Sequence, residues 1–360
     1  MDKLGIIAQF LVLVPTLTGS FYVVLSAAAV LFFCRRRRAS LRVPAEWPAV
    51  SILKPIYGLE KNLEQNLRSA CTQDYPRYQV VLSVQRLDDP ALPLLRRIEQ
   101  EFGRERVTIA AAESEPVLNG KVQNLRIALP AARHDVLVIS DSDVELRSDY
   151  LERIVAPLRD PRVGYVCTLY RATRAERWFE RLELLTLNAD FVTNVIFASV
   201  TGASGFCLGA STALRRTTLD AIGGFAPLAN YLVEDFEMGR RIRARGLKSV
   251  LIPHFVDTIV DLENASAWWR HHVYWDQNTR AARPGGFFAS VLVRGLPFAL
   301  LFAILRLFDG LGVTVLAAAV ATRLLTAAVA PLTFWLCRLI EAAFARTARE
   351  RSALREGYLS

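Results

Sequence analysis

Cysteine is scarce and scattered in this chain. Its five cysteines, Cys34, Cys71, Cys167, Cys207 and Cys337, form no Cys-x-x-Cys pair and no even framework. That excludes a disulfide scaffold and a cysteine-built zinc site, and reads as reduced thiols in a protein facing the cytosol. There is no internal repeat and no low-complexity segment, so stacked-repeat and disordered-tail architectures fall away. Charge is missing altogether from residues 4–33. About 20 apolar residues cross a bilayer core, so this run spans one with length to spare. A cleaved signal peptide would have an apolar region of about 7–15 residues with positive charge in front. Here only Lys3 precedes the run and Arg35-Arg36-Arg37-Arg38 follows it. Positive charge stays on the cytoplasmic side, which places the amino terminus outside and the chain after Arg35 in the cytoplasm.

What is present fits that reading. Of 360 residues, 52% are hydrophobic and 22% charged, which suggests apolar segments attached to an ordinary globular part. The net charge of +9 is concentrated in arginine. Nucleic acid is the rival partner for such a charge, but basic residues flanking long apolar segments are better explained by a membrane surface. No nucleic acid is expected, and the lipid bilayer is.

After a proline-containing linker at 41–48, short apolar runs alternate with helical spacing. Strands are expected at 50–53, 78–84, 107–111, 136–140, 163–168, 211–214 and 250–252. Helices are expected at 62–72, 89–102, 120–129, 148–158 and 232–245, the last stopped by Gly246. Strands separated by helices at this spacing predict βαβ units, a mostly parallel sheet and the α/β class. Residues 178–200 carry Glu180, Glu183 and Asp190 but no lysine, and predict an amphipathic helix packed on the sheet with partial membrane contact. From Ala265 the chain turns aromatic and basic, the composition of a membrane–water interface. The runs at 286–305 and 310–330, interrupted by Arg294 and Arg323, predict a transmembrane hairpin. A last apolar segment at 332–345 either spans or lies on the surface.

The chemistry gathers at Val136-Leu137-Val138-Ile139-Ser140-Asp141-Ser142-Asp143. The apolar residues read as a strand buried on both faces. A period of 2 puts Asp141 and Asp143 on one side of the extended chain, facing the crevice beyond the strand's carboxyl end. A divalent cation carrying a diphosphate would offset their mutual repulsion. The bland alternative is a solvated turn, where aspartate is common.

Further stretches line up with this one in a fixed order. They are Ser51-Ile52-Leu53-Lys54-Pro55, VQRLDDP at 84–90, Lys121-Val122-Gln123-Asn124-Leu125, SDSD at 140–143, GFCLGA at 205–210, IGGF at 222–225 and YLVEDFEMG at 231–239. The ordered set resembles a membrane-bound, processive-type family 2 glycosyltransferase, in the ceramide glucosyltransferase-like branch. That branch is also similar to bacterial enzymes that place an amino sugar on hopanoids. The resemblance runs over residues 50–297. It implies a GT-A fold with membrane helices on either side and assigns roles residue by residue. Asp88 or Asp89, with Asp89 preferred, resembles the aspartate that contacts the nucleotide base. Lys121 resembles a residue beside the nucleotide, where an ammonium opposes diphosphate charge. Asp141 and Asp143 match the DxD element that holds Mg²⁺ or Mn²⁺ on the diphosphate. Asp235 matches the general base, its bland reading being a carboxylate favoured at a helix start.

One motif departs from the pattern. Where the family has (Gln/Arg)-x-x-Arg-Trp, this chain has His271-His272-Val273-Tyr274-Trp275. The position of the motif assigns His271 and Trp275 to the donor site. Tyr274 offers one neutral hydroxyl where arginine would pair with diphosphate oxygens. Arg270, His271, His272 and Arg280 are the candidates to supply that charge, and they read equally well as interfacial anchors.

The expectation is an inverting transferase that moves a hexose or N-acetylhexosamine from a UDP-sugar to a lipid hydroxyl of ceramide or hopanoid type. The expected site is the cytoplasmic face of the inner membrane, in a multi-pass protein. The expected division is an anchor at 1–40, a catalytic domain at 41–262, an interfacial helix at 263–285, membrane helices at 286–345 and a charged tail at 346–360. The rivals are a polysaccharide synthase, for which the C-terminal spans are few, and a degenerate transferase that only binds lipid or nucleotide.

Overall fold

The computed structural model describes residues 3–36, 47–113, 117–203, 205, 207–329, 331, 332 and 335. Most of the linker, most of the final apolar segment and the charged tail lie outside the described residues. In chain order the elements are α1 (Lys3–Arg36), β1 (Val50–Pro55), α2 (Leu63–Cys71), β2 (Tyr78–Val84), α3 (Leu92–Phe102), β3 (Val107–Ala111), α4 (Gly120–Ala128), β4 (Val136–Ser140) and β5 (Val144–Glu145). They continue with α5 (Tyr150–Val155), β6 (Val163–Ala172), α6 (Trp178–Leu185), α7 (Val192–Thr201), β7 (Ser211–Arg215), α8 (Arg216–Ala221), α9 (Glu234–Ala244) and β8 (Lys248–Thr258). The last are α10 (Ala265–Ala282), α11 (Pro284–Leu292), α12 (Gly295–Leu305) and α13 (Gly310–Val329).

Two compact units divide these elements. One comprises residues 39–187 and 201–284, the other 1–38, 188–200 and 285–360. The first holds an eight-stranded sheet of order β3-β2-β1-β4-β7-β6-β8-β5. β1, β2 and β4 are buried along their whole length, as parallel strands covered on both faces must be. β1 pairs in parallel with β2 and with β4, and β2 with β3. The chain winds outward from β1 through β2 to β3, then returns to the other side of β1 as β4. That reversal is a topological switch point, and the crevice outside the carboxyl ends of β1 and β4 is where such sheets bind ligands.

Beyond β4 the expected parallel alternation gives way to a mixed sheet. β7 lies antiparallel between β4 and β6. β6 and β8 pair in parallel over a long register with two irregularities. β5, unforeseen from the sequence, pairs antiparallel with the end of β8, Val144 opposite Thr258. At Gly164 a Cβ would meet Ile242 Cγ2 at 2.5 Å and Leu247 Cβ at 2.8 Å, so α9 packs there against bare backbone. The core includes Ile52, Val80 and Val138 of the sheet with Leu67, Leu95 and Ile154 of the covering helices.

The second unit is helical. Its helices Lys3–Cys34 and Gly310–Val329, and helix Trp178–Thr201, of which only residues 188–200 belong to this unit, are long and apolar enough to cross a membrane. α1 and α12 meet through glycine: a Cβ on Gly19 would lie 2.4 Å from the Gly295 nitrogen, a small-residue contact that lets helices approach closely. Two details go beyond the sequence expectations. Within the run 286–305, α11 and α12 bend by 44° at Arg294, which caps α12. The stretch 178–200 is interrupted by a π-helical turn at Thr186–Phe191. Its three acids all find partners: Glu180 accepts from the Glu176 and Arg177 amides, Glu183 meets two histidines, and Asp190 pairs with Arg323. The interrupting arginine of the last span therefore faces protein, as a charge in an apolar helix requires.

Candidate active site

The site is built where β4, α4 and α9 end or begin around one ammonium group. Asn119 caps α4, accepting from the Val122 amide at 3.1 Å, and its own amide group donates to Glu234 Oε2 at 2.8 Å and the Tyr231 carbonyl at 3.0 Å. This ties the start of α4 to the start of α9. Lys121, in the first turn of α4, lies 2.7 Å from Asp141 Oδ1 and 3.2 Å from Glu234 Oε1. It also donates to the Gly209 carbonyl at 2.9 Å. A Cβ on Gly209 would sit 3.1 Å from both Asp235 Oδ2 and Lys121 Nζ. Glycine there keeps the backbone close to the charged groups without filling the space before them. Lys121, Gly209, Thr212, Glu234 and Asp235 line one cleft.

The electrostatics follow from crowding acids in this cleft. Burial and the neighbouring Glu234 charge push Asp235 up to about 7, against the opposing pull of Lys121 and the Phe236 amide. The Phe236 N–H donates to Asp235 Oδ1 at 2.7 Å. Burial raises Asp141 to about 6, with Lys121 lowering it and Asp143 raising it. Burial alone would depress Lys121, but Asp141 and Glu234 together hold it well above its ordinary value. Tyr170 is pushed well above the usual phenol range by burial and then by Asp235, Asp141 and Asp143. One phenol thus senses all three aspartates, which brings together residues the sequence could only align.

The remaining expected residues fall in three places. Asp143 accepts from Thr258 Oγ1 at 3.3 Å, at the β5–β8 junction. Asp89 is buried, its carboxylate accepting from the Gly58 amide at 3.2 Å and the Ala91 amide at 2.8 Å, while Asp88 is exposed and pairs with Arg86 at 2.7 Å. His271 and Trp275 are not joined to the acidic cluster by any hydrogen bond or ion pair among the described residues. Trp275 Nε1 donates to His271 Nε2, His271 lies 3.7 Å from Glu183, and His272 lies 2.9 Å from the same carboxylate. The altered motif thus fastens α10 to α6.

Sequence reasoning missed Lys54, Glu60, Glu234 and Tyr170 as members of the site. Lys54 had a readable signal, a lone cation inside an otherwise apolar strand; burial pulls it down to about 8, while Asp143 and Asp141 hold it up. Glu60 is raised by burial and lowered by Ser142.

With this geometry in hand, the chain can be set beside known proteins. It matches the glycosyl transferase family 21 model over residues 13–354. The chain belongs to glycosyl transferase family 21. It is 29% identical to ceramide glucosyltransferase 1 of Caenorhabditis elegans over 212 residues, 58% of this chain and 44% of that protein. It is 31% identical to the ceramide glucosyltransferase of Komagataella phaffii over 126 residues, 34% of this chain and 25% of that one. It is 24% identical to the beta-monoglucosyldiacylglycerol synthase of Trichormus variabilis over 196 residues, 54% and 41% of the two chains. The matches span less than half the length of these curated relatives. Among solved structures it resembles a mannosyltransferase of Pyrobaculum calidifontis solved with GDP-Man and Mn²⁺, at 22% identity and a TM-score of 0.51 over 93% of each chain. That likeness speaks to fold. The family 21 chain has the GT-A fold implied by its motifs, flanked by apolar helices.

Proposed function

We propose that this family 21 chain is an inverting glycosyltransferase, moving a hexose or N-acetylhexosamine from a UDP-sugar to the hydroxyl of a ceramide- or hopanoid-type lipid. The observation that supports it most is the meeting of Asp141 and Glu234 on Lys121, beside a cleft that Lys121, Glu234 and Asp235 line together. Asp235 is the general base. Its carboxyl sits near neutrality, where a base both occurs deprotonated and accepts a proton readily. It takes the lipid hydroxyl proton as that oxygen bonds to the anomeric carbon. The bond from that carbon to the diphosphate oxygen breaks on the opposite face, and the nucleoside diphosphate leaves with the electron pair. A single in-line displacement gives a β-linked product from an α-linked donor. Lys121 opposes the negative charge that develops on the leaving group. Asp88 or Asp89 contacts the base, and the assignment of His271 and Trp275 to the donor site rests on the position of their motif.

A divalent cation fits the donor set. No group of three or more His, Cys, Asp or Glu among the described residues forms a self-sufficient metal site. Two carboxylates one residue apart suit Mg²⁺ or Mn²⁺, which complete their shell with substrate phosphates and water. Beside burial, the Asp143 and Glu234 charges also raise Asp141, a crowding of acids that a bound cation would relieve. Asp141 and Asp143 would hold the ion, which when bound neutralises charge building on the diphosphate. The arginines after α1 support a cytoplasmic catalytic unit on the inner membrane of a multi-pass protein.

Membranes containing the chain, incubated with radiolabelled UDP-sugars and extracted with organic solvent, test the reading. Label in a chromatographically defined lipid supports it and names the sugar. Label in insoluble polymer points to a polysaccharide synthase, and no incorporation from any donor refutes transfer.

A further inference from the structure

Residues 141–148 carry both acids of the Asp-Ser-Asp turn, yet β5, the strand within them, is only two residues long. Strand pairing therefore does little to fix the turn. Besides two long backbone bonds, from the Asp141 amide to the Ala210 carbonyl at 3.3 Å and from the Val144 amide to the Asp141 carbonyl at 3.4 Å, side chains from beneath hold it. Lys54 Nζ donates to the Asp141 carbonyl at 2.7 Å and the Val144 carbonyl at 3.0 Å. Asn66 Nδ2 donates to the Ser142 carbonyl at 3.0 Å. Further along, Ser69 Oγ accepts from the Leu146 amide at 2.9 Å, and Gln73 Nε2 donates to the Arg147 carbonyl at 2.9 Å. Asn66, Ser69 and Gln73 share one face of the α2 region by helical spacing. This face is a row of polar contacts laid along the segment.

The direction of these bonds matters. The carbonyls of Asp141, Ser142 and Val144 are drawn inward, onto Lys54 and Asn66. The two carboxylates go elsewhere, Asp141 to Lys121 and Asp143 to Thr258. Lys54 and Asn66 are 0% and 1% exposed, so neither reaches the cleft. A buried ammonium is costly unless it is fully engaged, and two carbonyls three residues apart in one turn, those of Asp141 and Val144, engage it only if the turn keeps this shape.

We propose that Lys54 and Asn66 are positioning residues for the cation-binding turn, setting the spacing and aim of Asp141 and Asp143 before the nucleotide sugar arrives. The inference rests on the reading that these two aspartates hold a divalent metal. It competes with a simpler electrostatic role for Lys54, and the two predict opposite signs. A positive charge near the metal weakens cation binding, so an electrostatic role alone makes Lys54→Met bind Mn²⁺ more tightly. A positioning role makes it bind more weakly. Asn66→Ala changes no charge and isolates positioning.

The test uses the full chain in detergent with UDP present, titrated with Mn²⁺ while the resonance of free Mn²⁺ is followed by electron paramagnetic resonance. The expected result is a Kd weakened about tenfold or more in Lys54→Met and Asn66→Ala, the loss typical when groups that orient metal ligands are removed. Gln73→Ala, which loosens the same segment beyond the turn, is expected to lower the melting temperature but keep the wild-type Kd. Tighter binding by Lys54→Met, or a Kd for Asn66→Ala matching wild type, overturns the proposal. If Lys54→Met does not fold, Asn66→Ala decides alone. Wild-type chain that binds no Mn²⁺ overturns the metal reading itself, whereas wild-type binding with unchanged variants overturns only the positioning role.

Discussion

Replacing Asp235 by asparagine should separate stability from chemistry. In the native chain burial and Glu234 raise this carboxyl from 3.8 to about 7. The native state therefore binds more protons than the unfolded chain between those values, and stability falls as pH rises through that window. A displacement of that size corresponds to on the order of 4 kcal/mol at about 1.36 kcal/mol per pH unit. Water in the open cleft screens part of the charge, leaving on the order of 2–4 kcal/mol. Asparagine keeps the shape and cannot ionise, so it escapes this penalty. Asp235→Asn should melt at the same temperature as wild type near pH 4 and several degrees higher at pH 8. Transfer should meanwhile fall by about 10²–10⁴-fold, the range for loss of a general base.

The assay is a pair of melting series in chelator, from pH 4 to pH 8, alongside label transfer to lipid. A variant that is less stable than wild type at pH 8 would refute the electrostatic argument. A variant with wild-type turnover would refute the role. The two failures are independent, because the first concerns the cost of the charge and the second its use.

Other perturbations follow from the same cleft. Asp141→Asn and Asp143→Asn should each abolish the response of activity to added Mn²⁺ after chelation, and turnover that persists in chelator would exclude a metal. Lys121→Met removes the cation that favours ionisation of Asp141 and Asp235; the acidic limb of its pH–rate profile should move to higher pH, and an unmoved limb would count against it. Gly164→Ala drives a methyl into Ile242 and Leu247 and should cost about 1–3 kcal/mol by overpacking, measurable as a lower melting temperature with the pH profile unchanged.

How much of this was legible beforehand depended on the kind of signal. The place of Asp141 just past β4 was readable because a buried strand announces itself by composition, but the period of 2 does not carry on beyond it: the chain turns at 142–143, and the two carboxylates meet different partners, Lys121 and Thr258. The place of Asp235 at a helix start was readable from the helical spacing at 232–245 and the stop at Gly246, while its role came from the family resemblance alone. Lys54 was visible as an anomaly, a charge inside Val50–Pro55, but nothing local says that its partners are carbonyls at Asp141 and Val144. The antiparallel insertion of β7 was hidden because a strand buried on both faces reads the same whichever way its neighbours run. β5 is too short for periodicity to register. His271 and His272 read as interfacial anchors or donor-site groups until the fold brought Glu183 against them.

The cleft's charge distribution ties these residues into one device. Lys121 is shared between Asp141 and Glu234 and also lowers Asp235. A cation taken up by Asp141 and Asp143 would compete with Lys121 for the first of these acids and so free the ammonium to move toward Glu234, Asp235 and the arriving diphosphate. On the proposed reading, donor binding and base activation would then be coupled through a single side chain. Asn119 supports this arrangement by holding Glu234 at the start of α9, and Gly209 by admitting both charged groups beside bare backbone. If Asp235 is the base, a closer ammonium would lower its carboxyl from about 7 and draw off its proton as the donor site fills, which is when a base is needed.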